Sequence, residues 1–315
     1  MTNPLQGRKW LVILGLIVTL IAILGYRAMT HEAPGDFARY YTAGGVIADG
    51  DAPQLYEKMS VLGRFEHSFR YLPIFAILMA PLSMLPVEGA YWIWQILHYA
   101  CYFTWLGASY LILRRAGMRW TWMLLPAACT IRICMQNFQL GQINPIMIAL
   151  TLAGVYQWYR KRSFTAGALI GLGAAIKFTP VLFFPVFLAS RQWRAAGGML
   201  FSAVFFVILV PSIVIGPKLN VDLIREYISQ ESGLLTPHDH ERVITGQDRP
   251  VAGQSLKALL TRYLTHSNAV HQAKHNDPIY VNIVDIDPVI VHTLYGLFAL
   301  ALFIPLAARL KSAGV

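Results

Sequence analysis

Long apolar runs alternate with short polar clusters along this chain, and the runs approach the length of a membrane helix. A helix rises 1.5 Å per residue, so crossing a ~30 Å hydrocarbon core takes about 20 apolar residues. The candidate spans are residues 10–26, 90–112, 120–135, 143–159, 164–177, 179–190, 196–216 and 290–308. Several are short, which is tolerated where backbone lines a protein cavity instead of lipid. The pattern predicts an all-α polytopic membrane protein, a single integral-membrane domain over residues 1–315 with about eight transmembrane helices. The first run, "WLVILGLIVTLIAILGY", follows Arg8 and Lys9; it is longer than a signal-peptide core and no A-x-A site follows it. It reads as a retained signal anchor.

The run "YLPIFAILMAPLSMLP", residues 71–86, is ambiguous, being about 15 residues long with Pro73, Pro81 and Pro86. Charge decides its treatment. If it does not cross, Arg8/Lys9, "RRAGMR", "RKR", "RQWR" and Arg309/Lys311 all face the cytoplasm, twelve basic residues with no acidic one. All 16 Asp and Glu then fall in two outer loops, 27–89 and 217–289. If it did cross, the three middle basic clusters would move outside, against the positive-inside bias. Residues 71–86 therefore read as a re-entrant or membrane-surface helix, with both termini cytoplasmic.

Composition agrees. Only 13% of residues are charged, about half the share of a soluble domain. The net charge of +10 is accounted for by cytoplasmic loops, which excludes nucleic acid as the reason for it. Cys101, Cys129 and Cys134 lie inside apolar runs without C-x-x-C spacing and read as small apolar helix residues.

Given this topology, polar residues from distant segments arrive at one membrane face. Asp36 lies just outside the first span, in "GDFARYYTAGG". Gln139, Gln142 and Asn144 sit in "QLGQINP", the turn between spans 120–135 and 143–159. Lys177 ends span 164–177, and Gln254, Ser255, Lys257 and Arg262 belong to the last outer loop. Arg132 lies within an apolar run, where an arginine is expensive and usually faces a cavity or a partner. Taken singly, Asp36 reads as a helix cap, Lys177 as a snorkelling interfacial lysine and "GQINP" as an ordinary turn. Together they suit a lipid-phosphate chemistry. Lys177 and Arg132 can bind a phosphate, and a carboxylate can act as general base on an acceptor hydroxyl. Tyr40, Tyr41, Tyr71 and the amides can hold a sugar. "GLGAAIK" lacks the Walker A order, because Phe178 follows Lys177. In "TPHDHER", His238 and His240 stand two apart without further ligands in the pattern; the readings are a solvated loop, a metal site, or a substrate-binding His238.

These segments resemble glycosyltransferase family 87, polytopic transferases of the GT-C class. "GDFARYYTAGGVIADGDAPQLYE" is similar to the family's first outer loop. "YLPIFAILMAPLSMLP" is similar to its Y-P-P-x-x-x-x-x-x-x-P-L-x-x-x-P segment, with Leu72 in place of the first proline. "GQINPIMIAL", "AGALIGLGAAIKFTPVLFFP" and "GQSLKALLTR" resemble its G-Q-x-N turn, its glycine-rich helix pair ending in K-x-x-P, and its N-Q-S-L segment, with Gly253 for Asn. The five stretches keep the family's order over residues 35–262.

The resemblance implies an inverting transfer of a hexose, mannose being the family's usual sugar, from a polyprenyl-phosphate donor to a lipid or glycan acceptor. The site would lie on the outer face of the bacterial plasma membrane. It implies Asp36 as the general base and Lys177 with Arg132 at the donor phosphate. Arg39, Tyr40, Tyr41, Gln142, Asn144, Gln254 and His238 would line the sugar and acceptor pocket. A single displacement with built-in cations requires no metal and no cofactor, and the oligomeric state is left open. A transporter or flippase of lipid-linked sugars is the rival from another class; it needs polar groups along both leaflets, whereas this polar set is one-sided. Family members run longer after the second outer loop, so a C-terminally truncated member, or an inactive truncated scaffold, is the third expectation.

Overall fold

The computed structural model describes residues 35–57, 59–63, 65–67, 69–232, 256–266, 280–291, 293–298 and 301. The proposed anchor 10–26, His238, Gln254 and most of 290–308 lie outside the described residues. The described residues fall into two compact units: residues up to Leu188 together with Gln192–Tyr227, and Ala189–Arg191 together with Ile228 onward.

The first described element of the first unit is helix α1, Gly35–Ala48, which carries Asp36 in its first turn, where a carboxylate complements the helix dipole. Its buried face is Phe37, Ala38, Tyr40, Ala43 and Gly44, spaced as one helical stripe. Gly44 allows the close approach of the next helix, α2, Pro73–Ser83. A Cβ there would stand 2.7 Å from the Met79 carbonyl carbon and 2.8 Å from its oxygen. At 11 residues, α2 is about 16 Å long, too short to cross a bilayer as a helix.

Between α1 and α2 the first loop also holds a small hairpin. Strands β1, Met59–Val61, and β2, Phe65–His67, pair antiparallel with Val61 opposite Phe65. Leu62 and Gly63 both take positive φ in the connection, the backbone a tight hairpin requires.

Helix α3, Val87–Arg115, is 29 residues long, and α8, Trp193–Ile215, is 23; both are long and apolar enough to cross a membrane. Between them lie α4, Leu124–Leu140, α5, Asn144–Tyr159, α6, Ser163–Ile176, and the short α7, Phe183–Ala189. The predicted break between spans 164–177 and 179–190 falls at Lys177, followed by a 3₁₀ turn over Thr179–Leu182. The predicted span 120–135 is shifted. A 3₁₀ turn occupies Trp120–Met123 and the helix runs on to Leu140, so Gln139 lies in a helix and not in the turn.

The main core joins Phe37, Tyr40, Leu55, Tyr56, Phe69, Phe75, Met79, Trp94, Ile143, Ile176 and Leu223. A second cluster packs α6 on α8 through Ile170, Ala195 and Met199, beside Phe187 of α7. Gly167 makes that crossing possible, because a Cβ there would run into the Ala195 carbonyl. Within α8, residues Val204–Leu209 form a π segment. Asn220, fully buried on α9 (Pro217–Ser232), donates to the Val207 and Ile208 carbonyls at 3.1 and 3.3 Å and to Ser212 Oγ at 3.2 Å. Val207 stands four residues before Pro211, which has no N–H to offer its carbonyl, and Asn220 supplies a donor there.

Beyond Ser232 the described residues of the second unit are α10, Leu256–Leu264, with Thr265 and His266, and residues 280–291, 293–298 and 301. The amides of Ile283 and Ile286 donate to the Tyr263 and Leu264 carbonyls at 2.8 and 2.7 Å, and the His266 amide donates to Asp285 Oδ1 at 3.0 Å.

Candidate functional site

Three chain segments, each stopped or started by its own local chemistry, build the site in the first unit. The first is the start of α1. Asp36 Oδ1 accepts from Arg39 Nη1 at 3.1 Å, one helical turn on, and both side chains stay partly open, Asp36 at 22% and Arg39 at 35% exposed. Next to them Tyr40 is buried, and its hydroxyl lies 3.0 Å from that of Tyr71. Burial, then Tyr71, then the charge of Asp36 push the Tyr40 hydroxyl well above the usual phenol range. Tyr40 is therefore a neutral hydrogen-bonding group. Tyr41 points elsewhere: its hydroxyl donates to the Leu85 carbonyl at 2.7 Å, tying α1 to the link between α2 and α3.

The second segment is the turn between α4 and α5. Gly141 stops α4 with φ +65°. The Gln142 amide donates to the Asn137 carbonyl at 2.9 Å and the Gly141 amide to the Phe138 carbonyl at 3.2 Å, the two bonds of a Schellman cap. Three residues after Gln142, Pro145 lies in the first turn of α5, where its missing amide leaves nothing to satisfy. Trp94 of α3 donates from Nε1 to the buried Gly141 carbonyl at 3.0 Å, which pins the turn. The turn presents a set of amides. Asn144 Nδ2 donates to Asn137 Oδ1 at 2.7 Å and to Gln142 Oε1 at 2.8 Å, while Asn137 Nδ2 donates to the Ile133 carbonyl at 2.7 Å.

The third segment is the end of α6. Lys177 follows the last helical residue in extended backbone, φ −143° and ψ 120°. Its Nζ donates to Asn144 Oδ1 at 2.6 Å. Burial pulls the Lys177 ammonium below the ordinary lysine range, and the nearby charge of Asp36 partly opposes this. Asp36 and Lys177 are 141 positions apart in sequence, yet the fold brings the charge of Asp36 within reach of the Lys177 ammonium.

Of the residues read from sequence, Asp36, Arg39 and Tyr40 come together on α1, and Gln142, Asn144 and Lys177 are joined by hydrogen bonds. Arg132 is exposed on α4 and makes no hydrogen bond or ion pair among the described residues. Gln254 and His238 lie outside the described residues, and Arg262 belongs to the second unit. Asn137 and Trp94 were not legible as site residues. The available signal for Asn137 was its place among the amides Gln136 and Gln139 at the end of an apolar run, since amides in a membrane segment are themselves a flag.

Residues 69–313 match the family model described as Glycosyltransferase family 87. Asn137, Gln142, Asn144 and Lys177 lie inside the matched segment; Asp36 precedes it. Over 210 residues the chain is 27% identical to a polyprenol-phosphate-mannose-dependent alpha-(1-2)-phosphatidylinositol pentamannoside mannosyltransferase of Mycolicibacterium smegmatis, a match over 64% of this chain and 49% of that protein. Over 71 residues it is 35% identical to a polyprenol-phosphate-mannose-dependent alpha-(1-2)-phosphatidylinositol mannoside mannosyltransferase of Mycobacterium tuberculosis, 22% of this chain and 16% of that protein. The chain thus spans about half the length, or less, of the curated relatives it matches. No solved structure matches it.

Proposed function

The chain belongs to glycosyltransferase family 87, and we propose that it is a membrane hexosyltransferase that moves mannose from a polyprenyl-phosphate donor to a hydroxyl of a lipid or glycan acceptor. The reaction takes place at the outer face of a multi-pass bundle in the bacterial plasma membrane. The observation that carries this reading is the hydrogen bond from Lys177 Nζ to Asn144 Oδ1, which sets an ammonium among the amides of the α4–α5 turn, with Asp36 near enough for its charge to favour that ammonium.

Asp36 takes the proton of the acceptor hydroxyl. The acceptor oxygen attacks the anomeric carbon of mannose, and the bond from that carbon to the phosphate oxygen breaks with inversion. Polyprenyl phosphate leaves with the electron pair. Lys177, steered by Asn144, stabilises the charge that develops on the leaving phosphate. Arg39 fixes the direction of the Asp36 carboxylate. Gln142 and Tyr40 help shape the pocket. Exposed Arg132 is a further candidate for the phosphate, and Gln254 and His238 for the acceptor.

Transfer of radiolabelled mannose from polyprenyl-phosphate-mannose, measured in membranes, tests the assignment. Asp36→Asn lowers kcat by about a hundredfold to ten-thousandfold, the usual range for a lost general base. Undiminished transfer in that variant removes Asp36 from the mechanism, and an unchanged rate in Lys177→Ala removes Lys177 from the phosphate site.

A further inference from the structure

Asn137 is 8% exposed on α4, is absent from the mechanism above, and starts a chain of side-chain amides that ends on Lys177. The direction of that chain is fixed from one end. The Ile133 carbonyl can only accept, so the Asn137 amide facing it must present its NH₂. Asn137 Oδ1 then points the other way and must receive a donor, which is Asn144 Nδ2. With its NH₂ so engaged, Asn144 turns its oxygen to Lys177. Reversing Asn144 would set NH₂ against ammonium and oxygen against oxygen. Gln142 also accepts from Asn144, but its amide makes no other side-chain hydrogen bond among the described residues, so nothing fixes its own direction.

We propose that Asn137 is a positioning residue for donor binding: it orients the Asn144 amide so that an oxygen, and not an NH₂, holds the Lys177 ammonium toward the donor phosphate. The functional part of this rests on Lys177 being the phosphate ligand; the orienting part does not. Without Asn137 as acceptor, Asn144 and Gln142 can reverse together, and Lys177 loses the oxygen that keeps it charged and aimed.

Two measurements on the purified full chain in detergent separate those parts. The first is reductive methylation of Lys177 with formaldehyde and cyanoborohydride near pH 8, followed by mass spectrometry. Only the neutral amine reacts, so the rate reports the fraction of Lys177 without its proton. Asp36, whose charge acts on Lys177, and its partner Arg39 are untouched by the substitutions. In Asn137→Leu, methylation of Lys177 is about tenfold faster than in the native chain, the effect of moving a titration by one pH unit. Asn137→Ser behaves likewise while still able to bond the Ile133 carbonyl, as serine does in helices, and serves where the leucine variant does not fold. Asn137→Asp keeps the acceptor oxygen and methylates at the native rate or slower. A native rate in both Asn137→Leu and Asn137→Ser, or equal acceleration in Asn137→Asp, overturns the orienting role.

The second measurement is the KM for polyprenyl-phosphate-mannose. Asn137→Leu raises it about tenfold, the scale of one charge-assisted hydrogen bond, and lowers kcat as well, because Lys177 also meets the charge that develops on the leaving phosphate. A native KM in Asn137→Leu beside a raised KM in Lys177→Ala overturns the proposal. A native KM in Lys177→Ala instead sinks the phosphate reading, and the methylation rates still judge Asn137.

Discussion

Lys177 holds two opposed influences in one side chain. Burial disfavours its ammonium, while the charge of Asp36 favours it, and burial is the larger of the two. The sign of the pH dependence follows. As pH rises through the lowered pKa the ammonium is lost, so affinity for polyprenyl phosphate falls at a lower pH than an ordinary lysine would give. Lys177→Arg, charged at every accessible pH, flattens that alkaline limb, and Asp36→Asn moves it further toward neutrality. Polyprenyl-phosphate binding measured across pH 7 to about 11 checks both shifts, and an alkaline limb unmoved by Asp36→Asn would show that the two residues are not coupled. At this scale the sequence was informative where a charge stood out from an apolar background, as Lys177 and Asp36 do. It was silent on Asn137, whose part depends on an acceptor in the preceding helical turn and a donor seven residues later. No spacing rule for motifs joins those three positions.

Helices here end where backbone geometry stops them, and polarity is a poorer guide. The QNFQ stretch suggested an early end to the span 120–135, yet α4 continues to Leu140 because its cap is Gly141. The small hairpin was illegible for a related reason: strands of three residues are too short to show an alternating pattern. The cap makes Trp94 a structural element of the site. Trp94→Phe keeps the ring but leaves the buried Gly141 carbonyl without the indole donor, a loss of about 1–3 kcal/mol. Thermal unfolding in detergent, together with a raised KM for the donor, is the expected readout. The α1–α2 contact behaves differently. In an isolated helix Gly44→Ala would be favourable by about 1 kcal/mol. Here the added methyl meets the Met79 backbone, which cannot rotate away, and overpacking of this kind costs about 1–3 kcal/mol. The clash wins, so a lowered unfolding midpoint is predicted; a raised one would show that α1 and α2 slide apart freely.

For the molecule as a whole, apolar runs alone left residues 71–86 undecided, and the positive-inside bias favours one side for the basic clusters at 114–119, 160–162 and 191–194, the topology we propose. In a chain freed of its native cysteines, Asp49→Cys is accordingly predicted to react with an impermeant maleimide on intact cells. Arg115→Cys and Arg194→Cys react only after permeabilisation, and labelling of either on intact cells would reverse the topology. The π segment of α8 bears on this scale too. Fitting one extra residue into a turn rotates everything after it by about 100° relative to a regular helix. The Met199 side of α8 is thus out of phase with the face beyond Val210, and Asn220 is cut to match the offset. A one-residue deletion within Val204–Leu209 would bring the two halves back into phase and strand the Asn220 amide. The length of this segment is therefore held fixed by a residue on the next helix, whatever freedom its apolar side chains have to vary.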